Sequence, residues 1–252
     1  MSTFWDRIDA ILVVNLKERI DRWEKTSSFI ESIGQLDKLH RIDAVKGVDL
    51  PSFGKAPWFT SNTPKNAGRL RAGAAGCCLS HKKAIQYAQK KGFSNVLILE
   101  DDARFIDDLT GDFGNLIGDF LFKNRFTLFY LGFYRKKCPY RKEIEVKSGI
   151  QNMMIAEILG PLMFHAVVVN HSAFESMLNS LPSENDIWAW VSYWGSFDSW
   201  IQNEFGYRKE NKVFGLMPSL VVQYANFSNI CGRDLTVEES EGTHKKSLKI
   251  AC

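Results

Sequence analysis

What this chain lacks narrows it first. No stretch approaches the roughly 18 uninterrupted apolar residues that a membrane-crossing helix needs, so nothing in it reads as a span. The opening MSTFWDRID is charged and has no apolar run, so no secretory signal is visible. Cys77, Cys78, Cys138, Cys231 and Cys252 fall into no paired framework, and adjacent Cys77-Cys78 is not a zinc spacing, so free thiols in a reducing compartment are expected. Five scattered histidines do not supply the cluster a zinc hydrolase requires. Basic tracts interleaved with aromatics are missing, which argues against a nucleic-acid partner. A net charge of +3 suits anionic ligands or a membrane surface without demanding either.

What is present is an alternation of apolar strands and helices. AILVVNL (Ala10 to Leu16) reads as a buried strand, and Arg19 to Ile33 as a helix with Trp23, Ser27 and Ile30 on one side and Arg22, Lys25 and Glu31 outside. Gly34 is placed to end that helix, and a second strand is expected at Leu39 to Ile42. Strand–helix–strand within 45 residues begins a βαβ unit, hence an α/β fold with a mixed, mostly parallel sheet flanked by helices. Residues 46 to 73, rich in glycine and proline, read as one long irregular segment. A helix over Ala74 to Lys91 follows, closed by Gly92. Further strands are expected at 96–99, 126–131 and 164–169, a helix at 172–181, helical structure late in 186–205, and a last apolar segment at 218–224. Residues 134–147 read as a surface hairpin or loop. The domain is drawn at 1–233, with 234–252 a charged tail.

The chemistry gathers at strand ends. Val96-Leu97-Ile98-Leu99 is wholly apolar and stops at Glu100-Asp101-Asp102. Ligands of such sheets bind beyond the carboxyl ends of the strands. Side chains alternate, so Glu100 and Asp102 should face one way and Asp101 the other. Two carboxylates so spaced suit one hard cation, Mg²⁺ or Mn²⁺; acids that merely cap helices or decorate loops share the spacing. NLKERIDR (Asn15 to Arg22) also joins a strand to a helix, where free N–H groups favour phosphate. Arg19 and Arg22, one turn apart, could reach one anion, or could be solvated arginines of an amphipathic helix. Ser80-His81 inside the third helix is open in the same way.

VVNLKERIDRW, RIDAVKG (Arg41 to Gly47), GAAGCCLSHKKAI (Gly73 to Ile85) and LILEDD (Leu97 to Asp102), in that order, resemble glycosyltransferase family 25. This family contains bacterial lipo-oligosaccharide galactosyltransferases and collagen galactosyltransferases. The resemblance extends over roughly residues 10 to 230, through GPLMFHAVVVNHSAFESML, SFDSWI and PSLVVQYANFSNI. It implies a GT-A-type fold and inverting transfer of a sugar, often galactose from UDP-galactose, to a glycan hydroxyl. Glu100-Asp101-Asp102 would stand at the DxD metal motif, with Glu replacing the first Asp. Glu100 and Asp102 would then be metal ligands, and Asn15, Arg19, Arg22, Asp43, Ser80, His81 and Asp101 would contact the nucleotide sugar.

An inverting transfer needs a base, and Asp198 is named for it, set among Trp194, Phe197 and Trp200, whose rings would suit a sugar acceptor; the alternative is that the tryptophans are core and Asp198 caps a helix or faces solvent. His244 is a remote candidate for a third metal ligand. The acceptor is expected to be a cell-surface glycan, lipid-linked or on protein. Peripheral contact at the inner face of the membrane would run through Arg135-Lys136-Lys137, Arg141-Lys142 and Lys245-Lys246, which a solvated basic face explains equally well. Two rivals stand beside this reading. A nucleotidyltransferase would carry a glycine-rich phosphate loop after the first strand, and NLKERIDR has no glycine. A catalytically silent nucleotide- or glycan-binding module would share every motif.

Overall fold

A computed structural model describes residues 3–133, 140–147, 152–223, 227–228 and 233–234. In chain order the elements are β1 (Ala10–Asn15), α1 (Ile20–Ser32), β2 (Leu39–Asp43), α2 (Lys65–Lys91), β3 (Asn95–Glu100), β4 (Ala103–Phe105), α3 (Asp112–Lys123), β5 (Leu128–Tyr130), β6 (Tyr140–Lys147), β7 (Asn152–Ile158), β8 (Ala166–Asn170), α4 (Phe174–Ser180), α5 (Ile187–Trp194), α6 (Phe197–Asn203), β9 (Val213–Met217), β10 (Val221–Gln223), β11 (Phe227–Ser228) and β12 (Arg233–Asp234). Eight strands form one sheet in the order β2-β1-β3-β8-β5-β9-β7-β6. Only β8 and β7 run against the other strands, so the sheet is mixed and mostly parallel.

β1 and β3 are apolar at nearly every position because both faces of the sheet are covered. Ala10, Leu12, Val96 and Ile98 pack toward α2, α4, α5 and α6. Their neighbours Ile11, Val13, Leu97 and Leu99 pack toward α1 and α3. This is the α/β architecture, a mixed sheet flanked by helices, that was expected from the sequence.

Both predicted helix stops are present. Gly34 and Gly92 each take φ 71°, and the following residue donates back across the last turn, Gln35 to Ile30 and Phe93 to Ala88. Only glycine reaches that conformation without a Cβ penalty. Four expectations need correction. Residues 65–73 are not irregular: α2 starts at Lys65, nine residues before Ala74, with Pro64 as its N-cap. Arg22 is not on the outer face of α1 but buried, 7% exposed. Residues 186–205 are helical in both halves, broken at Gly195. Asn152–Ile158 and Val213–Met217, unassigned from sequence, are strands of the main sheet. The surface hairpin or loop expected at 134–147 is corrected too: Tyr140–Lys147 is one strand, paired antiparallel with β7 at the edge of the main sheet, and 134–139 lie outside the described residues. Arg135-Lys136-Lys137, Lys245-Lys246, His244 and the tail beyond Asp234 lie outside the described residues. Among the described residues no helix is long and apolar enough to cross a membrane.

Gly76 of α2 serves a crossing rather than a break. A Cβ on Gly76 would lie 2.4 Å from the Val45 carbonyl oxygen, and one on Gly47 1.7 Å from that of Ala72. The loop carrying Val45 and Gly47 therefore lies directly on the helix, and Ser80 Oγ accepts from the Val45 amide at 2.8 Å. Gly47→Ala forces backbone against backbone, so we expect it to cost about 1–3 kcal/mol. Thermal melting of the variant against wild type measures this; an unchanged midpoint would show that the loop can move off α2.

Candidate active site

Parallel pairing brings the carboxyl ends of β2, β1 and β3 to one edge, with Val14 opposite Glu100 and Asn15 opposite Asp43. A cleft of about 650 Å³ opens there, lined among others by Arg22, Gly76, His81, Glu100, Asp102, Phe164, Asp198 and Gln223. Its volume is in the range of small-molecule sites.

The acidic triplet forms the floor and splits as alternation requires. Asp101 turns to α1, accepting from Arg22 Nη1 at 2.6 Å and from Asn15 Nδ2 at 2.7 Å. Glu100 and Asp102 share a donor on the other side: Gln223 Nε2 lies 3.2 Å from Glu100 Oε2 and 3.3 Å from Asp102 Oδ1. Gln223 arrives because β10 pairs antiparallel with β4, placing it opposite Ala103. Arg22 Nη1 also stands 3.6 Å from Asp102 Oδ2. Desolvation, then the neighbouring Asp101 carboxylate, raises Glu100 to about 7. Desolvation and then Glu100 raise Asp102 to about 7. Two carboxyls that resist ionising side by side are a site short of positive charge.

Asp198 faces them from the start of α6. Met163 adopts φ 71°, outside the usual range for a side chain of its kind. Consecutive N–H groups of Met163 and Phe164 donate to Asp198. Burial, and secondarily Glu100, nevertheless raise Asp198 to about 7. His81, fully buried, stacks on Phe197 at 4.7 Å between centroids and lies edge-on to Phe164 at 5.1 Å. Desolvation lowers it to about 4, so the ring is neutral when its Nε2 meets Glu100 Oε1 at 3.3 Å.

The remaining predicted residues have other surroundings. Asn15 is fully buried beneath the cleft, its amide N–H groups spent on Arg19 O and Asp101. Arg19 forms a two-pronged pair with Asp21 at 2.9 and 2.8 Å, so Arg19 and Arg22 do not converge on one point. Asp43 pairs with Lys17 at 3.1 Å, half-exposed at the end of β2. Ser80 lines the cleft, but its hydroxyl donates to Gly76 O and accepts from Val45 N. The tryptophan platform is corrected. Trp188 and Trp200 are core residues, and Trp190 and Trp194 pack on the same core. Phe164 and Phe197 back the cleft wall but are themselves core residues, 1% and 0% exposed.

Residues that sequence reasoning passed over include Gln223, Met163 and Cys77. For Gln223 there was a signal: it is a polar residue closing the apolar run LVV, the same pattern that drew notice to Glu100. Met163 gave none, because backbone conformation at a non-glycine residue leaves no mark in the sequence.

Fold and site together define an α/β domain with a cleft at the strand ends, over an acidic floor. The sequence supplies the family: the model of Glycosyltransferase family 25 (LPS biosynthesis protein) matches residues 8–151, and the chain belongs to that family. It is 30% identical over 155 residues to the inactive glycosyltransferase 25 family member 3 of Homo sapiens, covering 59% of this chain and 25% of that protein. It is 28% identical over 147 residues to a glycosyltransferase 25 family member of Drosophila melanogaster, covering 56% and 23%. The chain thus spans about a quarter of the length of these relatives. Among solved structures, a glycosyltransferase involved in the glycosylation of the major capsid of PBCV-1 overlaps 87% of this chain and 94% of its own, with 12% identity and a TM-score of 0.46.

Proposed function

We propose that the chain is an active, inverting transferase that moves a sugar, galactose from UDP-galactose in the favoured reading, onto a hydroxyl of a cell-surface glycan such as lipo-oligosaccharide. The observation that carries this is the convergence of Glu100, Asp102 and Asp198 in one cleft, all held near neutrality by burial rather than ionised and solvated. A purely structural acid cluster would be expected to have its charges matched by bases, whereas Arg22 is the one cationic side chain drawn into this floor by a described ion pair.

Glu100 and Asp102 fit a hard divalent cation. They are oxygen donors two residues apart, on one side of the chain, already bridged by a single amide nitrogen. When bound there, Mn²⁺ or Mg²⁺ would supply the positive charge that a leaving diphosphate needs. The chain's own groups do the rest. Arg22 fixes Asp101 and keeps the floor rigid. Arg69 and Lys46, on the cleft wall, favour the approach of an anionic donor. Asp198, aimed by the Met163 and Phe164 amides, takes the proton of the attacking hydroxyl.

Thermal stability with nucleotides and nucleotide sugars, each with and without Mn²⁺, tests the binding half. A ligand at a hundredfold excess over its dissociation constant adds about 2.7 kcal/mol. A metal-dependent rise with UDP and with one UDP-sugar is expected; no rise with any nucleotide removes the proposal. A second reading, binding without transfer, is favoured by one fact: the human, rat and mouse relatives are named inactive or probably inactive. Donor turnover separates the two, since a silent module would be stabilised by the donor and leave it intact.

A further inference from the structure

Cys77 and His81 take no direct part in the transfer chemistry proposed above. They lie one turn apart on α2, so their side chains share a face, and that face meets Glu100. His81 Nε2 is 3.3 Å from Glu100 Oε1, and Cys77 Sγ is 3.9 Å from the same oxygen. One ligand atom from each of the three residues lies within 4.8 Å of the other two. A tetrahedral zinc ion has bonds of about 2.3 Å to sulfur and about 2.0 Å to nitrogen and oxygen. Tetrahedral angles then set nitrogen and oxygen about 3.3 Å apart, and sulfur and oxygen about 3.5 Å apart. The His81–Glu100 separation already has that value, and Cys77 Sγ is a few tenths of an ångström too far from the Glu100 oxygen. The sulfur–nitrogen pair, within 4.8 Å, closes to about 3.5 Å by rotation of the side chains on binding.

Ordinary packing accounts for His81 stacking on Phe197, but not for a thiol, an imidazole nitrogen and a carboxylate oxygen meeting at one point. We propose that Cys77, His81 and Glu100 form a binding site for a thiophilic divalent cation, Zn²⁺ above all, with its fourth position open to the cleft. Donor softness separates this site from a Glu100/Asp102 site for Mn²⁺: thiolate and imidazole select zinc, carboxylates alone do not. On binding, the Cys77 thiol gives its proton to solvent and the thiolate sulfur ligates the ion. Nδ1 of His81 is buried without a hydrogen-bond partner. Tight zinc sites support their imidazoles with such a partner, and its lack lowers affinity ten- to a hundredfold relative to them. Glu100 belongs to both sites, so Zn²⁺ displaces the hard cation and inhibits transfer. Only this inhibition rests on the proposed function; zinc binding does not.

The test begins without any donor. Co²⁺, a spectroscopic stand-in for Zn²⁺, is titrated into the folded chain, and the near-ultraviolet charge-transfer band of a cobalt–thiolate bond is read. A band saturating at one equivalent and bleached by Zn²⁺ is expected. It should vanish in Cys77→Ser and persist in Cys78→Ser, whose sulfur is buried in the core. No band in the wild-type protein, or one that survives Cys77→Ser, overturns the site. Should Cys77→Ser fail to fold, Cys77→Ala serves in its place, and the wild-type titration decides by itself. In the transfer assay, Zn²⁺ should inhibit wild type at least tenfold at a concentration that spares Cys77→Ser. Equal inhibition of both would remove the competition. A chain that gives the cobalt band yet turns over no donor keeps the zinc site and loses the transfer reading.

Discussion

Asp198→Asn is expected to lower sugar transfer by about 10²–10⁴-fold, the usual contribution of a positioned general base. Donor affinity should change less than threefold, because Asp198 stands across the cleft from the triplet rather than within it. The asparagine keeps the size of the side chain, and its carbonyl oxygen can still accept from Met163 and Phe164 N–H. What it cannot do is accept a proton. Transfer retained within tenfold of wild type would remove Asp198 as the base. The pH profile gives an independent reading. Asp198 is raised to about 7, and a base works only when deprotonated, so turnover at saturating donor and metal should climb with pH through about 7. Glu100 and Asp102 are raised to the same region, but a bound cation displaces their protons. Saturating Mn²⁺ should therefore leave a single acid limb, and Asp198→Asn should flatten it.

The floor of this cleft was legible because a strand buried on both faces cannot end in three carboxylates without a reason. Alternation along the chain even gave their division, Asp101 to one side and Glu100 with Asp102 to the other. The walls were much less legible. Gly68 and Gly73 read as helix breakers, yet α2 runs straight through both, and through Gly76, which is small so that the Val45 carbonyl can lie on the helix. Trp194 and Trp200 on either side of Asp198 suggested a face for a sugar, yet amphipathic periodicity alone cannot tell an aromatic facing a core from one facing a cleft. Trp200 sits against Phe197 and Phe205 inside the core. Arg22 shows the same limit in reverse. Its place on the helix suggested solvent, and a partner 79 residues away drew it inside. Strand ends are local and leave a signature; convergence across the sheet is not local and leaves almost none.

Asp102→Asn is expected to remove metal-dependent transfer, a loss of about 10²–10³-fold of the kind seen when a charge-stabilising group is removed, and Asp102→Ala should do the same. Its effect on stability should have the opposite sign. Glu100, Asp102 and Asp198 are all raised to about 7, against ordinary carboxylate values near 4. Between those two values the folded chain holds more protons than the unfolded one, so stability falls as pH rises across that window. Below about pH 4 the contribution is fully present, and above about pH 7 it is gone. At pH 8 without metal the wild-type floor is therefore self-repelling, and replacing Asp102 by a neutral isostere relieves it. A gain of about 1 kcal/mol would move the midpoint of a chain this size by roughly 2–4 °C. Mn²⁺ should raise the wild-type midpoint at pH 8 and leave that of Asp102→Asn unmoved, since the variant has lost a ligand. Melting both proteins at pH 5 and pH 8, with and without Mn²⁺, gives the full comparison. If Asp102→Asn is destabilised at pH 8 and still responds to Mn²⁺, the acidic floor is a structural feature and the cation is held elsewhere. Stabilisation together with lost metal response is what a site built to hold a cation requires, because its carboxylates destabilise the empty fold and become favourable only when the ion arrives.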